Sequence, residues 1–341
     1  MNGVLQRFAR RWWSGDTGVH GVVLSVLLAP LSWLWAAATS IRNRRYDARG
    51  GTTIDDVAVV SVGNLAVGGT GKTPLASWVA KRASEAGGRP ALLLGGYARD
   101  ETLLHGVWTP GLPVVVDPDR VAGARQARSL GADVVVLDDG FQHRALHRRL
   151  DIVLLAVEDR FPGSLLPCGP YREPAGALAR ANVVVMTRRG GTIGDARRLE
   201  ARVLSVRGIS DKVVTASVWL APDRMRALAG RGASSRLANP LVVTAIARPE
   251  AFLRQVESVC EGSAELLAFA DHHDYTADDA CRARARARDR PIVVTEKDAV
   301  KFIEFSEQLG DAWVMEQRVE WDWGEEDVKR LLASLFASEA A

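Results

Sequence analysis

Short apolar runs of strand length alternate with helix-length segments along most of this 341-residue chain. A valine-rich run at 57–62 is followed by a loop with four glycines and then by a helix-compatible segment. Runs of the same kind recur at 90–94, 113–116, 134–137, 151–157 and 181–187. Strands that are apolar throughout and alternate with helices are typical of a parallel sheet covered on both faces. The pattern therefore predicts an α/β fold.

A second strand–helix series begins at Leu241, after a weakly alternating stretch at 212–220 and a linker-like stretch at 231–240. The repeated alternation predicts a second, smaller α/β/α domain. Residues 325–338 carry an apolar stripe at helical spacing, formed by Val328, Leu331, Leu332, Leu335 and Phe336. This stripe predicts a carboxyl-terminal helix that packs on the body of the protein.

The most apolar stretch is 18–38, and arginines flank it on both sides. Residues 1–50 hold seven arginines and two aspartates, a formal charge of +5, whereas the whole chain carries only +3. A signal peptide, a spanning helix, a buried core helix and a helix lying in the membrane interface are all compatible with this length. Pro30 and His20 weaken a span, and tryptophans at 12, 13, 33 and 35 suit the headgroup region. We expect the interfacial helix.

The segment Val57–Ala80 has the order strand, glycine loop, helix that a P-loop requires. Glycines allow backbone N–H groups to point inward at phosphate oxygens, and the helix N-terminus adds a partial positive charge. Lys72 would reach the β- and γ-phosphates, and the Thr73 hydroxyl would bind Mg²⁺. The candidate nucleotide-binding residues are Gly68, Gly69, Thr70, Gly71, Lys72 and Thr73. The alternative is a glycine-rich turn before an ordinary helix.

The segment Ala132–His143 predicts a buried strand that ends in Asp138 and Asp139. Phosphate sites gather at the carboxyl ends of neighbouring parallel strands, and a carboxylate placed there holds magnesium or its water. Gln142 and His143 follow directly, so they are candidates for substrate contact, as is Asn64 at the end of the first strand. The alternative is a strand followed by an ordinary Asp-Gly turn.

Two further stretches carry candidate chemistry. The loop 161–174, FPGSLLPCGPYREP, is long and contains Arg172, which is either an anion contact or a surface arginine. Residues 271–274, Asp-His-His-Asp, form the densest titratable cluster. A histidine beside a carboxylate is how a general base is oriented, but aspartates of this kind also cap helices. The residues alone leave both alternatives open.

The motifs VGNLAVGGTGKTP, DDGFQH, LPCGPYREP, TAIARPEAF, FADHHDYT and VVTEKDAVK occur in this order, after an amino-terminal segment that ends RNRRYD. Together they resemble the tetraacyldisaccharide 4'-kinase family, the lipid A 4'-kinases, from about residue 31 to 332. The resemblance implies a membrane-associated kinase of two α/β/α domains with a cleft that closes between them. It implies transfer of the γ-phosphate of ATP, with Mg²⁺, to the 4'-hydroxyl of a lipid A disaccharide 1-phosphate.

The resemblance also implies roles for particular residues. Lys72 and Thr73 look like the family's phosphate and magnesium ligands, and Asp138 and Asp139 look like its Walker B pair. Asp100 is similar to the family's catalytic aspartate, and His272 to the histidine paired with it. The catalytic candidates are Asp100, His272, Lys72 and Asp139; the metal candidates are Thr73, Asp138 and Asp139; the substrate candidates are Arg172, Gln142, His143 and Asn64.

The chain departs from the family pattern at three places. Ala66 stands where a small hydroxyl residue is common, and Leu94–Ala98 reads LGGYA where the family usually reads SRGYG. The loop between that motif and Asp100 is also shorter than usual. A P-loop ATPase or GTPase switch at the membrane surface is one alternative function, although 187–190, Thr-Arg-Arg-Gly, lacks the lysine and aspartate of a guanine-reading string. A degenerate homologue that binds nucleotide without turnover is the other.

The predicted organisation follows from these observations. We expect an interfacial membrane-helix region at 1–45, a P-loop kinase domain at 46–210, a hinge and linker at 211–240, the smaller α/β domain at 241–320 and a packing helix at 321–341. The three cysteines form no close-spaced pair, which fits a reducing compartment. The predicted location is the cytoplasmic face of the inner membrane, with the lipid disaccharide and the inner leaflet as partners and neither nucleic acid nor an obligate protein partner.

Overall fold

The computed structural model describes residues 3–96, 99–230, 232–234 and 237–336. The chain forms two compact units. The larger unit consists of Ala9–Tyr97, His105–Trp219 and Trp321–Ala341, and the smaller unit consists of Leu220–Glu320 with Met1–Phe8 and Ala98–Leu104. Each unit has hydrophobic clusters of its own, so each is described separately below.

The larger unit is built on a parallel sheet. Its strands are β1 (Ala58–Asn64), β2 (Pro90–Leu94), β3 (Val114–Val116), β4 (Val134–Asp138), β5 (Leu150–Ala156), β6 (Val183–Arg188) and the first part of β7 (Val214–Ala227). They lie in the order β3–β2–β4–β1–β5–β6–β7, and neighbouring strands are parallel throughout. The register pairs Val62 with Asp138, so the carboxyl ends of β1 and β4 lie at the same edge.

Helices accompany these strands. In chain order they are α1 (Gly3–Trp13), α2 (Gly18–Arg49), α3 (Lys72–Glu85), α4 (Arg99–Trp108), α5 (Arg120–Ser129) and α6 (Ile193–Leu204). The caps explain several of the starts. The Asp119 carboxylate accepts from the N–H groups of Val121 and Ala122 at the start of α5, and Thr192 forms a capping box with Asp195 at the start of α6.

Helix α2 has an unusual distribution of side chains. The face turned to the protein carries small and polar residues: Gly21 and Thr39 are buried, and Ser32 donates to the Leu165 carbonyl. The opposite face is apolar and exposed, and it is formed by Val19, Val22, Val23, Val26, Leu27, Leu31, Trp33, Leu34 and Ile41. Among the described helices, α2 is long and apolar enough to cross a membrane, which by itself is weak evidence for membrane association.

The smaller unit has a second parallel arrangement. Its elements are the end of β7, β8 (Ala233–Ser234), β9 (Leu241–Thr244), α7 (Pro249–Glu257), β10 (Glu265–Ala268), α8 (Ala277–Ala287), β11 (Ile292–Thr295), α9 (Glu296–Phe302), α10 (Ser306–Leu309) and β12 (Ala312–Trp323). Strands β10–β9–β11–β12 are neighbours in that order and are parallel, while β8 pairs antiparallel with β7. The predicted second α/β layer is therefore confirmed.

The α/β fold with a P-loop-type parallel sheet is confirmed, but several element bounds differ from the expectation. Asp100 and Glu101 lie in the first turn of α4. The helix that contains the apolar stretch 18–38 and the segment RNRRYD ends at Arg49. The final helix, α11 (Glu325–Ala333), ends earlier than expected, and the last predicted residues, 337 and 338, lie outside the described residues. The expected linker falls partly on residues 231, 235 and 236, which are also outside that set, and the domain boundaries stay a prediction.

Candidate functional site

The glycine loop after β1 is held by hydrogen bonds that neighbouring side chains donate to Thr70. Gly68 and Gly71 have φ values of 129° and 88°, which glycine adopts at little cost. Asn64 Nδ2 donates to Thr70 Oγ1 at 2.9 Å, and Thr187 Oγ1 donates to the Thr70 carbonyl at 2.9 Å. These bonds fix the loop that leads into Lys72 and Thr73, the first residues of α3. Its geometry is that of a phosphate-binding turn at a helix N-terminus.

The departure at Ala66 has a packing explanation. Residues 65–67 pair with the loop 161–174: Val67 N donates to the Pro170 carbonyl at 2.8 Å, and Arg172 N donates to the Leu65 carbonyl at 2.7 Å. Ala66 forms a bridge with Tyr171 and is buried in the same hydrophobic cluster as that tyrosine. A small apolar side chain fits this position, and the glycine loop bends after it.

Asp139 is the centre of a cluster of charges at the carboxyl end of β4. Arg172 Nη1 donates to both of its carboxylate oxygens, at 3.0 and 2.9 Å, and Lys72 Nζ lies 3.6 Å from Oδ1. Burial opposes ionisation of Asp139, but Lys72 and Arg172 outweigh it and lower the pKa of that carboxyl to about 2. The candidates Lys72, Asp139 and Arg172 are therefore brought into one ion-paired group.

Gln142 connects this group to the end of β1. Its Nε2 donates to the Asn64 carbonyl at 2.9 Å, and its Oε1 accepts from Arg172 at 3.2 Å. Asn64 is fully buried, and its Oδ1 has no hydrogen-bond partner among the described residues. A buried acceptor without a partner is uncommon. Asn64 is the last residue of β1, the strand that leads into the phosphate loop.

His143 lies in a basic environment. Burial and the guanidinium groups of Arg120, Arg172 and Arg42 together lower its pKa to about 4, against the opposing charge of Asp139. The imidazole is therefore neutral at physiological pH. A neutral ring among three arginines leaves a net positive surrounding, which suits an anionic ligand.

Asp138, at the end of β4, is held by a buried chain of hydrogen bonds. His105 Nε2 lies 3.0 Å from Asp138 Oδ2, and His105 Nδ1 lies 2.8 Å from Ser77 Oγ. All three side chains are buried. The sequence motifs did not identify Ser77 or His105, because their spacing matches no known signature and only the fold brings α3, α4 and β4 together.

The smaller unit contains the second group of candidates. His272 Nδ1 lies 3.1 and 3.2 Å from the two oxygens of Asp100, so the structure brings these two residues together. Lys301 Nζ donates to Asp100 at 3.3 Å and to the His273 carbonyl at 2.8 Å. Lys297 Nζ lies 3.8 Å from Asp100 and 3.1 Å from Glu101. Asp100 is only 2% exposed, so its charge is balanced mainly by these neighbours.

The electrostatics of Asp100 follow from these contacts. Burial raises the pKa of the carboxyl, but the hydrogen bond from His272 and the charges of Lys297, His272 and Lys301 more than offset it and lower the pKa to about 2. Asp100 is therefore ionised across the physiological range. An ionised carboxylate on Nδ1 fixes the orientation of the imidazole ring.

The cluster at 271–274 is thus not a set of helix caps. The cap of α8 is Thr276, which forms a capping box with Asp279, and His273 Nε2 contacts Asp279 at 2.9 Å. Lys297 and Lys301 belong to the motif VVTEKDAVK, which contributes to the family resemblance but had no predicted role for either lysine. Their position beside Asp100 could not be read from spacing, since about 200 residues separate them in the chain.

No group of three or more His, Cys, Asp or Glu side chains that could hold a metal ion occurs within the described ranges. The candidate metal donors are instead Thr73 in the first turn of α3 and the carboxylates of Asp138 and Asp139. A hydroxyl and one or two carboxylates are a typical protein contribution to a magnesium site that also includes substrate phosphates and water.

A parallel sheet whose first strand leads through a glycine loop into a helix, with two aspartates at the end of the adjacent strand, defines a P-loop nucleotide-binding protein. The family model for tetraacyldisaccharide-1-P 4'-kinase matches residues 24–107 and 98–337. The chain belongs to this family.

Relatives and a solved structure agree with that assignment. The chain is 38% identical over 327 residues to the tetraacyldisaccharide 4'-kinase of Anaeromyxobacter dehalogenans (strain 2CP-C), covering 85% of this chain and 84% of that protein. It is 35% identical over 296 residues to the corresponding enzyme of Halorhodospira halophila, covering 80% and 83%. The fold resembles that of LpxK from Aquifex aeolicus, crystallised in complex with ATP, with a TM-score of 0.70, 24% identity and coverage of 92% and 99%.

Proposed function

We propose that this protein transfers the γ-phosphate of ATP to the 4'-hydroxyl of a tetraacyldisaccharide 1-phosphate, a step of lipid A biosynthesis. The family match over most of the chain is the observation that carries this proposal. The phosphate loop and the Asp100–His272 pair support it, because a kinase needs a triphosphate cradle and a group that handles the proton of the acceptor hydroxyl. A membrane-surface switch is not favoured by the family assignment.

The phosphate loop accounts for the nucleotide side of the reaction. Gly68, Gly69 and Gly71 allow backbone N–H groups to face phosphate oxygens, with Thr70 fixed by Asn64. Lys72 is ion-paired with Asp139 in this structure. We propose that a bound triphosphate takes Lys72 as its own partner, since phosphate carries more negative charge than one carboxylate.

The candidate metal ligands suit Mg²⁺. Thr73, Asp138 and Asp139 offer only hard oxygen donors, and they come from the start of α3 and the end of the neighbouring strand. The ion would neutralise charge on the β- and γ-phosphates. We propose Thr73 and Asp138 as the nearest ligands, with Asp139 balancing Lys72 and Arg172.

We propose that Asp100 and His272 act on the acceptor. The attacking hydroxyl must be aligned with the γ-phosphate and must lose its proton as the bond to phosphorus forms. Asp100 is ionised and hydrogen-bonded to His272 Nδ1, so positive charge that develops on the couple is stabilised. Proton acceptance by such a couple typically contributes about 10²–10⁴-fold to the rate.

The basic region around His143 suits the acceptor's own phosphate. Arg172, Gln142 and His143 lie together at the carboxyl end of β4, and Arg120 and Arg42 add positive charge. We propose that Arg172, Gln142, His143 and Asn64 contact the acceptor or the transferred phosphoryl group. A guanidinium can bind two phosphate oxygens at once, which makes arginine well suited to this task.

The exposed apolar face of α2 supports association with a membrane surface. Val26, Leu27 and Leu34 are 68%, 69% and 66% exposed on the same helix. We propose that this face lies in the inner leaflet at the cytoplasmic side of the inner membrane, because the phosphate loop needs ATP. The arginines of the first 50 residues would contact anionic headgroups.

A direct assay tests the proposed function. Purified protein is incubated with γ-labelled ATP, Mg²⁺ and a tetraacyldisaccharide 1-phosphate in detergent micelles, and the lipids are separated afterwards. The proposal predicts a doubly phosphorylated lipid whose new phosphate lies on the 4' position. Hydrolysis of ATP at the same rate with and without lipid, and no labelled lipid, would contradict the proposal and would favour an ATPase.

A further inference from the structure

Asp138, at the end of β4, is connected to helix α3 by hydrogen bonds that pass through His105 on helix α4. His105, on α4, contacts Asp138 Oδ2 through Nε2 and Ser77 Oγ through Nδ1, at 3.0 and 2.8 Å. The three side chains are 0–4% exposed. Neither Ser77 nor His105 belongs to the six motifs that carry the family resemblance.

The partners determine the tautomer of His105. A carboxylate accepts but does not donate, so Nε2 carries the hydrogen and donates to Asp138. Nδ1 is then an acceptor, and the Ser77 hydroxyl donates to it. Both ring nitrogens of His105 are thus hydrogen-bonded.

The chain fixes the two elements that carry the candidate magnesium ligands. Thr73 and Ser77 lie four residues apart on α3, so they share one face of that helix one turn apart. Asp138 ends β4. The bonds from Ser77 through His105 to Asp138 thus set the position of the Asp138 carboxylate relative to the helix that presents the Thr73 hydroxyl.

The orientation of Asp138 leaves one oxygen for a ligand. Its Oδ2 accepts from His105, and within the described part of the chain Oδ1 has no hydrogen-bond partner. Carboxylates that bind metals are commonly oriented by such a second hydrogen bond, and loss of the bond typically lowers metal affinity about 10–100-fold. Without the His105 bond the carboxylate would be free to rotate about χ2.

We propose that Ser77 and His105 are positioning residues that hold the Asp138 carboxylate in the orientation in which Oδ1 faces the magnesium ion of bound Mg–ATP. The proposal rests on the proposed function only in taking ATP and Mg²⁺ as ligands. Helix α4 also carries Asp100, five residues before His105.

The test measures binding rather than turnover. The affinity for ATP is determined by calorimetry with Mg²⁺ and with EDTA, for the wild type and for His105→Leu, His105→Gln and Ser77→Ala. We expect His105→Leu to lose about 10-fold or more of the affinity gain that Mg²⁺ provides, while metal-free ATP binding changes less than about 2-fold. Gln has an N–H that can reach a carboxylate, so His105→Gln should recover part of the gain, and Ser77→Ala should lose a smaller part.

Matched controls separate positioning from simple destabilisation. His147 and Ser84 are exposed, so His147→Leu and Ser84→Ala should leave both affinities unchanged. If His105→Leu does not fold, His105→Gln and Ser77→Ala decide the question. Equal Mg²⁺ gains in all folded variants, with only a lower melting temperature, would overturn the proposal. If wild-type protein binds Mg–ATP but phosphorylates no lipid, the proposed function fails while this inference is still tested.

Discussion

Two of the candidate site residues have a positive φ, a backbone conformation that residues other than glycine rarely adopt. Asp139 and His272 have φ values of 58° and 60°. Left-handed conformations of residues other than glycine cost about 1–3 kcal/mol and persist where the surroundings enforce them. Arg172 holds the Asp139 carboxylate, and Asp100 holds the His272 ring. At both positions a side-chain contact accompanies the uncommon backbone conformation.

The contacts of Asp100 predict how the free energy of unfolding changes at acid pH. The pKa of Asp100 is lowered from 3.8 to about 2, so the carboxylate stabilises the folded state above pH 4 and this contribution is lost as the pH falls through 2. The size of the effect is about 2 kcal/mol. Lys301→Met removes one of the cations responsible, and the pKa of Asp100 should rise.

We expect Lys301→Met to lower the free energy of unfolding by about 1–3 kcal/mol at pH 7, with a smaller loss near pH 3. Urea denaturation at both pH values measures this. Lys81 is exposed, so Lys81→Met is the matched control and should change little. A loss for Lys301→Met that is equal at both pH values would show that the lysine acts by packing and not through the charge of Asp100.

The sequence predicted individual residues to different degrees. The phosphate loop and the aspartate pair were identified because they occupy contiguous motifs with known geometry. His272 and Asp100 were paired only through the family resemblance, since about 170 residues separate them. His105, Ser77 and Lys301 were missed as site residues, because hydrogen bonds between distant segments leave no periodic signal in the sequence.

At the scale of elements, helix α2 reverses the usual pattern of a surface helix, because its large apolar side chains are exposed. Gly21 and Thr39 are buried on its inner side, and a bulky apolar stripe faces outward. Hydropathy alone does not distinguish a membrane-spanning helix, a signal peptide and a core helix, because all three are apolar. The structure adds the direction of each face, and an outward apolar face suits a lipid surface better than water.

A double substitution on that face tests membrane association. Val26→Glu together with Leu34→Glu places two charges on the exposed stripe and should reduce co-sedimentation with anionic phospholipid vesicles by about 10-fold or more. Circular dichroism and the melting temperature should change little, because both residues are exposed. Leu130→Glu, at another exposed apolar position, is the control. Unchanged sedimentation of the double variant would contradict the proposed role of the face.

The carboxyl-terminal part of α2 is bound to the loop 161–174 through a buried carboxylate. Glu173 is fully buried and accepts from Asn43 at 2.8 Å, from Arg180 at 2.9 Å and from Arg42 at 3.3 Å. These bonds join the end of the helix to the loop that also carries Arg172. The loop is therefore positioned by the helix as well as by its own backbone bonds.

Glu173→Gln should destabilise the protein, because two arginines lose a buried counter-charge. We expect a loss of about 3–5 kcal/mol in the free energy of unfolding, measured by urea denaturation. Glu326 is mostly exposed, so Glu326→Gln serves as the control and should change the free energy by less than about 0.5 kcal/mol. A change for Glu173→Gln as small as that of the control would show that the buried charge does not hold this loop.

At the scale of the whole molecule, the order of strands and helices was predictable and the division into units was less so. Apolar strands with glycine and proline between them predicted both α/β series, and both are present. The assignment of 98–104 to the smaller unit was not predictable, because nothing in the local pattern of α4 separates Asp100 from His105. Asp100 lies in the part of this helix that groups with the smaller unit, and His105 lies in the part that groups with the larger unit.

The central claim is that nucleotide binding and proton handling belong to separate sets of residues that serve one transfer. Asp100 contacts His272, Lys297 and Lys301, and the phosphate loop has its own bonds. Substituting Asp100 should therefore affect turnover and not ATP affinity.

The measurement that tests this claim most directly compares Asp100→Asn with the wild type in two assays on the same preparation: formation of the 4'-phosphorylated lipid and affinity for Mg–ATP. We predict a loss of lipid phosphorylation of about 10²–10⁴-fold, with Mg–ATP affinity within about 2-fold of the wild type. Turnover within about 3-fold of the wild type, or loss of both activities together in a folded variant, would contradict the account.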